Sequence, residues 1–321
     1  ELIELFAPTG LQENYDNTGL LVGNPNNEVS GVLISIDITE EVITEAISQG
    51  CNLIVSHHPL IFGGLKRIVG KNTVQRCIML ALKNDIAIYA AHTNIDNAPN
   101  GVSFRMGAML GLRNMKVLQP ISGSLCKLVT FVPKLHVPNV QQALFQAGAG
   151  HIGNYDSCSY NTDGYGTFRA LNDANPYVGK PNILHTEPEV RIEVILPVHI
   201  KSKVIKALLS SHPYEEVAYD IIPLQNEWNN AGSGIIGETD LPVTEKEFLQ
   251  KVKSVFQCGI IRHTAFTGRK VIKVAICGGS GISLLKNALN ENADIFITAD
   301  VKYHDFFEAE NRILIADIGH F

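Results

Sequence analysis

Two adjacent histidines follow directly on an apolar run: Asn52-Leu53-Ile54-Val55-Ser56-His57-His58-Pro59. Imidazole ligates transition metals and exchanges protons near neutral pH. Leu53–Val55 has strand character and ends in breakers, so it reads as a short buried strand. In an open α/β sheet, ligands bind just outside the carboxyl ends of the strands. His57 and His58 fall there. Successive strand residues point to opposite faces. The pair is therefore better placed to reach two ions, or two sides of one cavity, than to chelate a single ion. On these residues alone, one structural and one exposed histidine is an equal reading.

Other strands also end in polar residues. Gly31–Asp37 ends at Asp37, Ile86–Ala91 runs out into His92-Thr93-Asn94-Ile95-Asp96-Asn97, and Arg312–Asp317 into Ile318-Gly319-His320, so polar residues converge at one sheet edge. An aspartate just past a strand and facing histidines is a credible carboxylate ligand. The candidate metal ligands are His57, His58, Asp96 and His320, with His92 as a candidate proton carrier. Imidazole and carboxylate without thiolate suit Zn, Fe or Mn ions. Two such ions, about 3.5–4 Å apart, can make a water held between them nucleophilic near neutral pH. Such a pair calls for a bridging carboxylate, a duty for which Asp96 alone is thin.

The elements that must position these residues are legible from periodicity. Gly31–Asp37 reads as a strand, and Thr39-Glu40-Glu41 opens a helix with Thr39 as N-cap. Strand, helix and strand make a βαβ unit, so the flanking strands are parallel. Thr73–Lys83 is the next helix. From about Leu125 the character changes. The strand at 126–133, the helix from Val137, the alternating hairpin-like stretch Tyr155–Arg169, the strand at 190–197, the helix at 201–210 and the strand at 217–224 follow the β-α-β-β-α-β order of a ferredoxin-like domain. The first theme then returns: the strand at 273–277, a helix over 284–290, the strand at 293–300, a helical stretch at 303–310 and the strand at 312–317.

The expected fold class is α/β: a duplicated α/β/α core with an inserted ferredoxin-like α+β domain. The boundaries read as 1–123, 124–232 and 233–321. Gly232-Ser233-Gly234 is the hinge back into the core. Gly278-Gly279-Ser280-Gly281 reads first as a tight β–α turn, because it lacks the lysine and spacing of a phosphate loop. Tyr15-Asp16-Asn17-Thr18-Gly19 reads first as turn chemistry and second as a floor for a site. Asp300, Lys302, Tyr303 and His304 either line the same cavity or cap the following helix. His212-Pro213-Tyr214-Glu215-Glu216 reads as a loop of the inserted domain.

Composition narrows the function. At 321 residues, two or three domains are expected. The net charge of −6 and the lack of a basic block argue against a nucleic-acid footprint. The cysteines Cys51, Cys77, Cys126, Cys158, Cys258 and Cys277 form no CxxC pair, which is reduced, cytoplasmic usage. No apolar stretch is long enough to span a bilayer, and no signal-peptide pattern is visible. Glu1–Phe6 reads as the end of a helix, and both chain ends read as edges of an ordered region with residues beyond them.

Ser56-His57-His58-Pro59, His92-Thr93-Asn94-Ile95-Asp96 and Gly319-His320-Phe321 resemble motifs of the Nif-three (Ngg-one-interacting-factor-three-like) family. Its bacterial members are often labelled GTP cyclohydrolase 1 type 2 homologues. Tyr15-Asp16-Asn17-Thr18-Gly19-Leu20 is similar to the family's opening motif, with Tyr15 in place of tryptophan. The stretch from His212 to Asp220 resembles the PII/CutA-like middle domain of the longer members. The resemblance implies a dinuclear site of two divalent ions per chain, with ligands at His57, His58, Asp96 and His320. It adds a glutamate four residues after the last histidine, a position past Phe321. It also implies a toroidal homohexamer. The expected function is a metal-dependent hydrolase acting on a small molecule or nucleotide. The alternative is a metal- or metabolite-sensing ring without catalysis.

Overall fold

The computed structural model describes residues 2–320; Glu1 and Phe321, the last residue of the Gly-His-Phe motif, lie outside the described residues. The chain forms two compact units. Unit 1 takes the residues up to Pro120 and those from Asn229 onward, and unit 2 is Ile121–Trp228.

The first part of the chain runs α1 (Leu2–Phe6), β1 (Gly19–Val22), β2 (Val32–Ser35), α2 (Glu40–Ser48), β3 (Leu53–Ser56), α3 (Thr73–Lys83) and β4 (Ala87–Ala90). Then come α4 (Thr93–Asn97), α5 (Val102–Met109) and β5 (Arg113–Ile121). The middle holds β6 (Leu125–Pro133), α6 (Val137–Gln146), β7 (Tyr160–Arg169), β8 (Leu184–Pro197), α7 (Lys201–Ser211) and β9 (Tyr219–Pro223). The last part is β10 (Trp228–Thr244), α8 (Glu245–Val255), β11 (Arg262–His263), β12 (Lys270–Ile276), α9 (Leu285–Asn290), β13 (Ile295–Thr298) and β14 (Leu314–Asp317). Local chemistry sets several starts. Thr39 accepts from the Val42 amide at α2, and Asn72 from Gln75 at α3. A reciprocal Thr244–Glu247 capping box opens α8.

Unit 1 holds two sheets, ordered β1-β4-β3-β2 and β11-β14-β13-β12-β10-β5. In the first, β2, β3 and β4 are parallel and β1 runs antiparallel against β4. In the second, β12, β13 and β14 are parallel and β11 runs antiparallel against β14. Each sheet thus places three parallel strands in reverse order, with an antiparallel edge strand that precedes them in sequence. Residues of β12–β14 alternate between two buried clusters. Val274, Ile276, Ile295 and Ile297 pack with Phe248 and Val252 of α8. Ala275, Phe296 and Ile315 pack with Leu285 and Ala288 of α9. A sheet covered on both faces needs such continuous apolar strands. In the first sheet, Ile54 and Ile88 pack under Ile43 of α2 and Ile78 of α3.

Unit 2 is one antiparallel sheet, β7-β8-β6-β9. Leu128, Ile192 and Val194 of the sheet share one cluster with Val140 and Leu144 of α6 and Val204 and Leu208 of α7. Both helices therefore cover the same face.

Several local expectations change. Tyr155–Arg169 is not a hairpin in itself: β7 starts at Tyr160 and its partner is β8. The helical stretch at 303–310 is a short 3-10 helix, Asp305–Ala309, rather than an α-helix. Gly232-Ser233-Gly234 lies inside β10. A Cβ at Gly232 would sit 2.1 Å from the Gln119 carbonyl oxygen, so this glycine lets β10 approach β5 closely.

Candidate metal centre

The carboxyl ends of the parallel strands in both sheets carry the polar residues. His57 and His58 leave β3, His92 leaves β4, Asp96 lies within α4, and His320 follows β14. Their rings meet. The His57 and His58 centroids are 5.1 Å apart, His57 and His92 5.2 Å, and His58 and His320 5.2 Å. Asp96 Oδ2 is 3.9 Å from His57 Nε2. The five candidate residues, far apart in sequence, are brought to one place.

The orientation of the rings is more informative than their proximity. His57 Nδ1 lies 2.9 Å from the Ala91 carbonyl oxygen, and His58 Nδ1 2.8 Å from Asp37 Oδ1. His92 Nδ1 is 2.9 Å from Asp16 Oδ1, and His320 Nδ1 2.7 Å from Asp300 Oδ2. A carbonyl or carboxylate oxygen only accepts, so each Nδ1 carries the hydrogen and donates it. Each Nε2 then keeps its lone pair for a ligand. This is the outer-sphere pattern of metal-binding histidines, which donate their second nitrogen to a carboxylate or backbone carbonyl.

Electrostatics agree. Burial lowers the His57 pKa, partly offset by the hydrogen bond to Ala91, and the neighbouring His92, His58 and His320 lower it further. His57 is thus held toward the neutral, ligating form. Burial pushes Asp96 up to about 7, with Asp16 adding to the rise and His320 opposing it. A half-buried carboxylate raised this far is short of positive charge. Burial also raises Cys277 to about 12, helped by Asp96 and Glu13, so without a metal its sulfur is a thiol.

His57, His58 and His92 each offer a ligand atom, all within 4.8 Å of one another, so this trio could hold a metal ion. The donor chemistry, nitrogen and oxygen without thiolate, fits a divalent transition metal.

Sequence reasoning placed Asp37 and Asp300 at the strand ends but did not assign them, or Asp16, the task of aiming the rings. Asp37 and Asp300 each stand just past a parallel strand, at the same edge as the histidines, and that shared position was the available signal. Asp16 precedes its strand, in a motif that reads first as turn chemistry. Its side chain is fully buried against His92 and accepts from the Thr93 amide at 3.0 Å and from the Thr93 hydroxyl. Those hydrogen bonds outweigh its burial and lower its pKa. The second reading of its motif, a floor for the site, is the one this geometry matches. Gly278–Gly281 is a turn, yet it also matters: a Cβ at Gly279, whose φ is +68°, would lie 3.1 Å from His320 Nε2.

Fold and site together define a class: a mixed α/β protein whose strand ends gather imidazoles able to hold a metal. The chain belongs to the Duf34/NIF3 (NGG1p interacting factor 3) family, whose pattern matches residues 1–321. That is the family its motifs resemble. A Halalkalibacterium halodurans protein called GTP cyclohydrolase 1 type 2 homolog is 42% identical over 322 residues, covering 100% of this chain and 87% of its own. A Bacillus subtilis protein of the same name is 38% identical over 323 residues, with the same coverage. Among solved structures, a Bacillus cereus protein related to NIF3 superposes with a TM-score of 0.85 at 42% identity, covering 99% of this chain and 86% of that one.

Proposed function

We propose that this cluster is a dinuclear metal site and that the protein is a metal-dependent hydrolase acting on a small molecule or nucleotide. One observation carries the reading: four imidazoles have Nδ1 engaged and Nε2 free, around the half-buried Asp96 carboxylate. His57, His58, Asp96 and His320 would hold the metal. Divalent ions of the Zn, Fe or Mn type supply Lewis acidity and a water that ionises near neutral pH. His92 is assigned to proton transfer. Its Nδ1 is held by Asp16, so Nε2 is the atom that takes up and gives back a proton. The relatives' name puts nucleotides first among substrates to be tried.

The same reading takes the two sheets of unit 1 as a duplication and unit 2 as a ferredoxin-like insert of the PII/CutA type. Its sheet order, with both helices on one face, supports that. Assembly into a homohexamer is part of the proposal. The exposed apolar residues Val32, Ile34 and Ile36 at the β2 edge, Ile34 at 81% exposure, support self-association. Six free cysteines fit a reducing, cytoplasmic setting. No helix among the described residues is long and apolar enough to cross a membrane.

The test is elemental analysis with turnover. The purified protein is expected to carry about two transition-metal ions per chain, and His57→Ala and Asp96→Ala to lose them together with any hydrolysis of nucleotides or phosphoesters. Wild type that stays metal-free after dialysis against Zn, Mn and Fe(II) rejects the site. Full metal with no turnover across the panel favours the sensing reading, which has one observation behind it: a large cavity lies in unit 2.

A further inference from the structure

That cavity has a volume of about 780 Å³, and its walls come from unit 2 alone. Phe131, Phe168, Tyr177 and Tyr214 supply aromatic surface, and Gly166 and Glu189 lie among them. Phe168 and Tyr177 stand around Tyr214, with ring centroids 6.1 and 6.2 Å from it. We propose that this cavity binds a small organic cation, an amine or guanidinium on an apolar body, with Glu189 as its counter-ion.

Glu189 is the reason. It is only 7% exposed, and its hydrogen-bond partner is a neutral group, the Tyr214 hydroxyl, which donates to Oε1 at 2.8 Å. The neighbouring cations are committed elsewhere. Lys127 and Arg191 both pair with Glu193, at 2.7 and 2.9 Å, and His185 meets Glu187 at 2.8 Å. Among the described residues, none forms an ion pair with Glu189. Buried charges are ordinarily paired, and a lone carboxylate in a cavity wall leaves the pairing to a ligand. The opposite strand makes room for it. Glu189 Oε2 lies where a Cβ on Gly166 would be, 2.1 Å away, so only glycine lets the carboxylate reach this spot. Burial, with the hydrogen bond to Glu189 and its charge, pushes the Tyr214 hydroxyl up, so it remains a donor. Aromatic faces around a carboxylate are the standard solution for binding an ammonium or guanidinium. Among the other lining residues, Asp163, Glu215 and Glu216 add negative charge, and Arg169 and Arg191, the latter paired with Glu193, offset part of it.

The experiment is calorimetric titration of the full-length chain with benzylammonium, benzyl alcohol and benzoate, which share a ring and differ in charge. Benzylammonium is expected to bind about tenfold or more tighter than the alcohol, a difference of the size a desolvated cation site gives. Glu189→Gln, nearly isosteric and neutral, is expected to erase that preference. Gly166→Ala on the edge strand β7 is the second variant; it displaces the carboxylate without altering it and is expected to cut the preference too. Equal affinity for alcohol and ammonium, tighter binding of benzoate, or a preference that survives in both variants overturns the proposal. His57→Ala is expected to keep the preference, so the cavity and the metal site stand or fall separately.

Discussion

His58 and His320 are each held by an exposed aspartate, and the fixed direction of each ring depends on it. Asp37 and Asp300 are 67% and 52% exposed as side chains, so their contribution to folding is small. Under the proposed metal reading, their effect falls on metal affinity. A carboxylate on Nδ1 raises the basicity of the ligating nitrogen and locks the tautomer, and losing such a partner typically costs about 10–100-fold in metal affinity. Asp37→Ala and Asp300→Ala are each expected to weaken metal binding by that factor, read by competition with a chromophoric chelator, while the thermal transition barely moves. Affinity unchanged in both variants means that the aspartates are surface partners only. At this scale the ligand-type residues were legible, because histidines just past strand ends are conspicuous. Their aspartate partners were hidden, because aspartate after a strand is also the common turn former. Only the three-dimensional meeting of Asp16 with His92, 76 positions apart, separates the two.

Where one helix hands over to the sheet of unit 2, a histidine again decides. His212 caps the carboxyl end of α7, donates from Nε2 to the Phe131 carbonyl of β6 at 3.0 Å, and accepts the Tyr214 amide at Nδ1, 3.1 Å away. Only the neutral ring can do both. Burial holds its pKa below the ordinary 6.5; the Phe131 carbonyl opposes the shift and His136 reinforces it. The unfolded chain therefore takes up this proton at a higher pH than the native chain does. Its contribution is complete above about pH 6.5 and is lost as pH falls toward the depressed native value. Hydrogen-exchange protection factors of β6 and β9 amides are expected to drop between about pH 7.5 and 5.5. They should drop less in His212→Gln, which keeps the donor and cannot be protonated. Identical pH slopes remove His212 from the account. Elements of this kind were unevenly legible. Strong apolar periodicity announced β2, β3, β4 and the parallel strands of the second sheet. β1 was masked by its Asn- and Gly-rich approach, and β10 by three residues, Gly232-Ser233-Gly234, that look like a loop. Their strand state comes from long-range pairing with β4, β5 and β12, which no local window contains.

At the scale of the whole molecule, the candidate metal site draws on both halves of unit 1, while the chain between them is a 108-residue excursion from Ile121 to Trp228. The exit and the return are neighbours. β5 and β10 lie side by side in the six-stranded sheet, and the Gln119 carbonyl oxygen sits 2.1 Å from where a Gly232 Cβ would be. Cross-strand pairs run Arg113 with Asp240 and Asn114 with Glu238, so the two strands are antiparallel. Two adjacent antiparallel strands can be joined by a turn of about two to five residues. Unit 2 in turn buries its own cluster, with Leu128, Leu144, Ile192 and Leu208 fully enclosed. Replacing residues 121–228 with an Asn-Gly-containing turn is therefore expected to leave unit 1 folded. That variant should bind as many metal ions per chain as the full-length protein. The excised 121–228 segment should show a cooperative thermal transition by circular dichroism. Because β5 and β10 pair with each other and each apolar cluster closes within its own unit, the shortened chain loses no core side chain of unit 1. A shortened chain that is soluble and folded but metal-free would show that the site needs unit 2, and an excised segment without a cooperative transition would show that its core is not self-sufficient.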